Sequence, residues 1–202
     1  IGPKQSTGLL IGGLKRLEYR GYDSAGVAVI EPGKDGSPQE LKVLRCRGKL
    51  GELENLVARE PPQGHVGIGH TRWATHGRPS DENAHPHCYK GVAVVHNGII
   101  ENYLEIKQAL AARGHEFQSE TDTEIIAHLI WEELQRDPLP APSAQTPRSV
   151  AQRNDRLLQA TRRALHRIEG AYAIVVLSIE TPEEIVCAKN ASPLVLGLGQ
   201  GE

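Results

Sequence analysis

The order in which strand and helix signals arrive along these 202 residues limits the possible folds more than any other feature. Strand-like apolar runs come in neighbouring groups: 25–30 (AGVAVI) with 41–48, then 65–73 with 90–98, then 171–179 with 183–190. The turn-forming stretch EPGKDGSP joins the first two. A doubly wound nucleotide-binding sheet needs strict strand–helix alternation, which is absent here. Grouped strands predict an α+β class with layered sheets. The GLGQG stretch at 197–201 has no helix signal after it and reads as a turn that ends a strand, not as a dinucleotide fingerprint.

Helices are expected around these strands. The segment 6–20 has a capping residue at Ser6 or Thr7 and a closing Gly21. The segment 49–60 is stopped by Pro61 and Pro62. In 102–114, Leu104, Ile106, Ala109 and Leu110 form one apolar face, ended by Gly114. The strongest helix, 121–136, opens with a capping box from Thr121 to Glu124 and carries Ile125, Ile126, Leu129, Ile130 and Leu134 on one side. Residues 138–148 are a proline-rich mobile insertion, and 150–170 returns to an amphipathic helix. Its arginines, Arg153, Arg156, Arg162, Arg163 and Arg167, are a solvated face opposite Leu157, Leu158, Leu165 and Ile168.

Charge and composition exclude several classes of function. A net charge of −2 gives no general attraction to nucleic acid or anionic lipid. No apolar run approaches the roughly 20 residues that span a bilayer. Three scattered cysteines, Cys46, Cys88 and Cys187, make no disulfide framework and point to a reducing compartment, the cytoplasm. Cys46 and Cys187 fall inside strand patterns, as small buried hydrophobes would. The chain starts at Ile1 and contains no methionine, so the expectation is a piece of a longer gene product, cut at both ends.

The stretch from His70 to His87 (HTRWATHGRPSDENAHPH) concentrates the chemistry. A metal site built from His70, His76, His85, His87 and His96 lacks a helical pair at ligand spacing, and the His85-Pro86-His87 arrangement should send its two rings to opposite sides of an extended segment. Asn97-Gly98 at a strand end admits two readings. It is the favoured pair for a type I′ turn, which spacing alone prefers, or a pair of donors for a developing oxyanion. Arg72 and Asp122 could hold the carboxylate and ammonium of an α-amino acid, or be an ordinary surface pair and a helix first-turn acid.

Five ordered motifs go further: LEYRGYDSAG (17–26), GHTRWATHG (69–77), NAHPH (83–87), VVHNGIIEN (94–102) and SETDTE (119–124). Together they resemble the N-terminal glutaminase domain of the glucosamine-6-phosphate synthases, within the class II glutamine amidotransferases. The resemblance implies a four-layer αββα N-terminal-nucleophile (Ntn) hydrolase sandwich over residues 1–202, with no cofactor and no metal. It implies hydrolysis of L-glutamine to glutamate and ammonia through a cysteine thioester. The ammonia would serve sugar-isomerase domains of the same parent chain, which bind fructose 6-phosphate, in a homo-oligomer.

Carried onto this chain, the resemblance makes Asn97 and Gly98 the oxyanion hole, against the turn reading. Arg72 would hold the glutamine α-carboxylate with Thr75 and His76, and Asp122 the α-ammonium. Trp73 would lie at the ammonia exit, Arg20 would position the nucleophile and Asn97, and His85 would stand near the pocket. The nucleophilic cysteine of the family would precede Ile1, so the residues as given are expected to be inactive. Two alternatives stand beside this one: a glutamine-binding module without a nucleophile, and a metal hydrolase built on the histidines.

Overall fold

Strand β1 (Ser24–Glu31) is apolar on both sides because each side meets a different layer. Ala25 and Val27 face Leu14 of helix α1 (Ser6–Leu17) and Leu50 and Leu53 of helix α2 (Leu50–Arg59). Ala28 and Ile30 face the other way, onto a second sheet. The computed structural model describes residues 1–21, 23–33, 37, 39–73, 77–136, 155–197 and 199. The proline-rich stretch 138–148, together with Thr75, His76 and Arg153, lies outside the described residues.

Sheet one has the order β2-β1-β3, with β2 at Glu40–Arg47 and β3 at Val66–Arg72. Sheet two has the order β4-β5-β6-β7, formed by His87–Tyr89, Val92–Ile100, Gly170–Ser178 and Ile185–Asn190. Every pairing between these strands is antiparallel. Strand β5 repeats the pattern of β1: Ala93 and Val95 pack between the sheets, while Val92 and Val94 face helices α3 (Tyr103–Ala111), α4 (Glu124–Arg136) and α5 (Arg156–Leu165). Three apolar clusters therefore separate four layers, helix–sheet–sheet–helix, as expected for the α+β Ntn architecture. Each apolar strand residue leaves water on one of two covered faces, which accounts for near-continuous hydrophobic runs in place of alternation.

Several local expectations change. Ser6 and Thr7 do not cap α1; their hydroxyls donate to the Gly64 and Pro62 carbonyls and tie the helix to the segment before β3. Leu104 is exposed, and α3 buries only Ile106 and Leu110 of its anticipated face. Helix α4 starts at Glu124, not Thr121, although its predicted apolar set is fully buried. The Glu124 carboxylate reaches back past its own turn to accept from the Gln118 and Ser119 amides and the Ser119 hydroxyl. Cys46 is buried as expected, but Cys187 is exposed because β7 is an edge strand with one side open.

The Asn97-Gly98 turn is the main correction. Both residues lie inside β5, opposite Ala173 and Tyr172 of β6. Gly98 is needed there: its φ is +141°, and a Cβ would sit 2.0 Å from the Ala171 carbonyl oxygen. Backbone cannot yield as a flexible side chain would. Gly98→Ala is therefore expected to cost about 3 kcal/mol or more, combining conformational strain with displacement of β6. Urea denaturation checks this, and an unchanged midpoint would refute it.

Candidate active site

Period-two alternation carries polar residues to one end of the layer between the sheets. On β3 the inward series Val66, Ile68 continues into His70 and Arg72, and on β5 the series Ala93, Val95 continues into Asn97. The hydrophobic filling thus gives way to a polar end without a break in either strand. His70 and Asn97 meet there, Nε2 to Oδ1 at 2.8 Å. Asn97 and Gly98 are exposed, whereas His70 and Arg72 are buried.

Antiparallel ladders turn successive N–H groups to opposite sides. The Glu101 amide bonds to Glu169, on the β6 side. The Ile100 amide points the other way and donates to Asp122 Oδ2 at 2.8 Å. The same alternation turns the Gly98 N–H toward the Asp122 side, where β4 pairs only with Val92–Val94. The Gly98 N–H and the Asp122 carboxylate therefore share one edge of β5, next to the Asn97 side chain on the face toward His70.

Arg72 closes the far side. Its Nη2 donates to the Gly77 carbonyl at 3.0 Å, and Nη1 lies 3.9 Å from Asp23 Oδ1. Burial pulls its pKa down, opposed by the charges of Asp23 and Asp122. One guanidinium, two carboxylates and two neutral donors suit a zwitterion that carries a second polar carbonyl.

Behind this surface, Thr123 accepts or donates to two rings at once: His85 Nε2 and His96 Nδ1, each 2.9 Å from its hydroxyl. His96 Nδ1 is also 4.0 Å from Asp122. His87 pairs with Thr121 at 3.0 Å. The Thr121-Asp122-Thr123 turn is thus spent on the site, which is why it does not cap α4. The rings of His85 and His87 do not go to opposite sides as expected: residues two apart on an extended segment share a face, and these rings meet edge to face at 4.8 Å. Among the described residues, no group of three or more His, Cys, Asp or Glu converges as a metal would require.

Of the residues singled out from sequence, Arg72, Asn97, Gly98 and Asp122 come together. His85 stands beneath them, buried and bonded to Thr123, and Trp73 is 63% exposed at the end of β3. Arg20 ends the turn Glu18–Arg20, whose following Gly21 packs its backbone on Thr71; the Arg20 side chain is not among the described ones. Sequence reasoning missed Asp23 and His70 as site residues and Thr123 altogether. Asp23 closes a motif already conspicuous as LEYRGYD, but only the strand pairing of Ser24 with Arg72 places it here.

No thiol among the described residues fits nucleophilic work. Burial pushes Cys46 up to about 11 and Cys88 up to about 12, and partial desolvation raises Cys187 although its surface is open to water. Two cavities among the described residues lie elsewhere: one of about 150 Å³ beside Ile1 and His65, another of about 210 Å³ between Arg45, Cys88 and Glu124.

The buried histidines give the domain a pH dependence. Burial lowers His70 to about 4 and His85 well below the usual imidazole range. Both are held neutral, so their stabilisation is complete above pH 6.5 and is lost as pH falls, for His70 down to about 4. Full loss from His70 alone amounts to about 3 kcal/mol. Glu184, raised by burial to about 7, acts in the opposite sense but is half solvated, so its effect is smaller. Urea midpoints should therefore drop steadily between pH 6.5 and 4; a flat profile would contradict the histidine assignment.

A model of the glutamine amidotransferase domain matches residues 40–137. The glutamine–fructose-6-phosphate aminotransferase (isomerizing) of Thermus thermophilus is 51% identical over the whole chain, which covers 30% of that enzyme. The enzyme of the same name from Haemophilus influenzae is 49% identical over 96% of the chain and 28% of its own length. The chain thus spans about 30% of the curated relatives it matches. Among solved structures, the glutamine phosphoribosylpyrophosphate amidotransferase of B. subtilis superposes with a TM-score of 0.68 at 27% identity, covering 94% of this chain and 36% of that one.

Proposed function

The chain is a member of the glutamine amidotransferase domain family, and from that premise we propose that it binds L-glutamine and releases its side-chain amide as ammonia. The observation that supports this reading is the meeting of Arg72, from β3 of one sheet, with Asp122 and the Asn97-Gly98 pair of β5 in the other: the Asp122 charge acts on Arg72, Asp122 holds the Ile100 amide, and Asn97 bonds to His70 two residues before Arg72. Arg72 takes the α-carboxylate and Asp122 the α-ammonium, which fixes the amide end of glutamine against the Asn97 side chain and the Gly98 N–H. Thr75 and His76 join Arg72 in this reading, Arg20 orients the attacking group, and Trp73 flanks the route along which ammonia leaves.

A cysteine ahead of Ile1, as the family resemblance implies, attacks the amide carbon. The carbonyl oxygen becomes an oxyanion held by the two donors. The C–N bond breaks, the nitrogen takes a proton and leaves as ammonia, and a thioester remains. Water then hydrolyses the thioester to glutamate and restores the thiol. In the full-length protein the ammonia passes to sugar-isomerase domains that bind fructose 6-phosphate, in a cytoplasmic homo-oligomer. Three unpaired cysteines support the compartment, and the names of the relatives support the use of fructose 6-phosphate.

The test is direct. Full-length protein supplied with L-glutamine should release glutamate and ammonia in equal amounts, and a thiol-directed glutamine analogue should abolish the release. Binding of L-glutamine without any turnover would favour the module lacking a nucleophile. Failure to bind L-glutamine at all would sink the proposal.

A further inference from the structure

We propose that His70 is the positioning residue that decides which way the Asn97 amide faces, and so whether the site presents a donor or an acceptor to the reacting oxygen. This rests on the reading of Asn97 as an oxyanion donor. An asparagine amide fills nearly the same space in two orientations. With Nδ2 toward the substrate it stabilises negative charge; turned over, its Oδ1 would repel that charge. Packing alone hardly distinguishes the two, so a hydrogen-bonding partner must.

His70 supplies one. Its Nε2 lies 2.8 Å from Asn97 Oδ1, and its Nδ1 is buried without a hydrogen-bond partner. If Nε2 carries the proton and donates to Oδ1, the unpartnered Nδ1 is a bare lone pair. If the amide were flipped, Nε2 would have to accept from Nδ2, and the neutral ring's proton would sit on Nδ1, buried with no acceptor. Buried donors without partners are rarer and costlier than under-used acceptors. The first arrangement is therefore favoured, and it directs Nδ2 away from the ring toward the exposed side of the site.

The ring itself is well held. His70 is opposite Gly26 in the β1–β3 pairing and packs on the His85 ring at 4.5 Å between centroids. His85 is fixed by Thr123, the neighbour of Asp122. The turn that supplies the ammonium partner thus also braces the ring that orients the oxyanion donor.

The experiment uses the full-length protein with His70→Leu, which fills the space without a donor, and His70→Gln, whose amide can still donate to Oδ1. His70→Leu should lower kcat for glutamine hydrolysis about tenfold to a hundredfold and leave KM within about twofold; His70→Gln should stay within a few-fold of the parent. In an Asn97→Ala background, His70→Leu should add less than about twofold. Nitrogen NMR of the unsubstituted protein should find the proton on Nε2 of His70, a readout that does not depend on any variant folding. A proton on Nδ1, an unchanged kcat in His70→Leu, or full additivity with Asn97→Ala would each overturn the proposal. A parent-like kcat in Asn97→Ala would instead overturn the oxyanion reading beneath it.

Discussion

Asn97→Ala should reduce kcat for glutamine hydrolysis by about 10²–10³ while KM stays nearly constant. The interaction lost exists chiefly when the carbonyl oxygen gains charge, so substrate binding is spared. The fold should tolerate the change, because Asn97 is exposed and its side chain bonds only to His70 among the described contacts. The Gly98 N–H would remain and leave residual activity. Steady-state rates over a glutamine series decide the matter: a kcat within threefold of the parent removes Asn97 from the oxyanion site.

The second large effect is on binding. Asp122→Asn should raise KM for L-glutamine by about ten- to a hundredfold, the worth of one hydrogen bond to a charged group. The amide oxygen can still accept from the Ile100 N–H now held by Asp122 Oδ2, so the strand edge stays satisfied while the ammonium loses its counter-charge. Asp122→Ala would confuse the two roles by orphaning that N–H. The asparagine variant should also lose discrimination between glutamine and its analogue without the α-amine. Equal preference for glutamine in parent and variant would show that Asp122 serves the fold alone.

Much of the architecture was legible in the chain because it depends on burial. The runs around Val27, Val94 and Val176 read as strands, and each is covered on both sides. The α4 face from Ile125 to Leu134 was equally clear, since helical periodicity and helix-to-sheet packing agree. What misled was local chemistry redirected by distant partners. Thr121 looks like a cap but pairs with His87, and its neighbour Thr123 holds His85 and His96. Asn97-Gly98 looks like a turn because short-range preference favours one, yet β6 pairs straight across it. Arg72 and Asp122 suggested an amino-acid site from residue type alone, but their proximity rests on the packing of two sheets. Asp23 and His70 stand in conspicuous motifs, but nothing local assigned them these roles, which arise from partners 49 and 27 residues away, Arg72 and Asn97.

The nine register pairs between β5 and β6, from Val92 with Ser178 to Ile100 with Gly170, have a thermal consequence. Asn97 and Gly98, the proposed oxyanion donors, sit inside this ladder, not on a loop that can open by itself. Local fraying cannot displace them without breaking the central sheet, so they belong to one cooperative unit with the core. On warming, their geometry should persist up to the melting transition and vanish with it. If Asn97 and Gly98 act as proposed, the geometry of the site and global stability are a single quantity in this domain, and anything that firms up the β5–β6 ladder should raise the temperature limit of both.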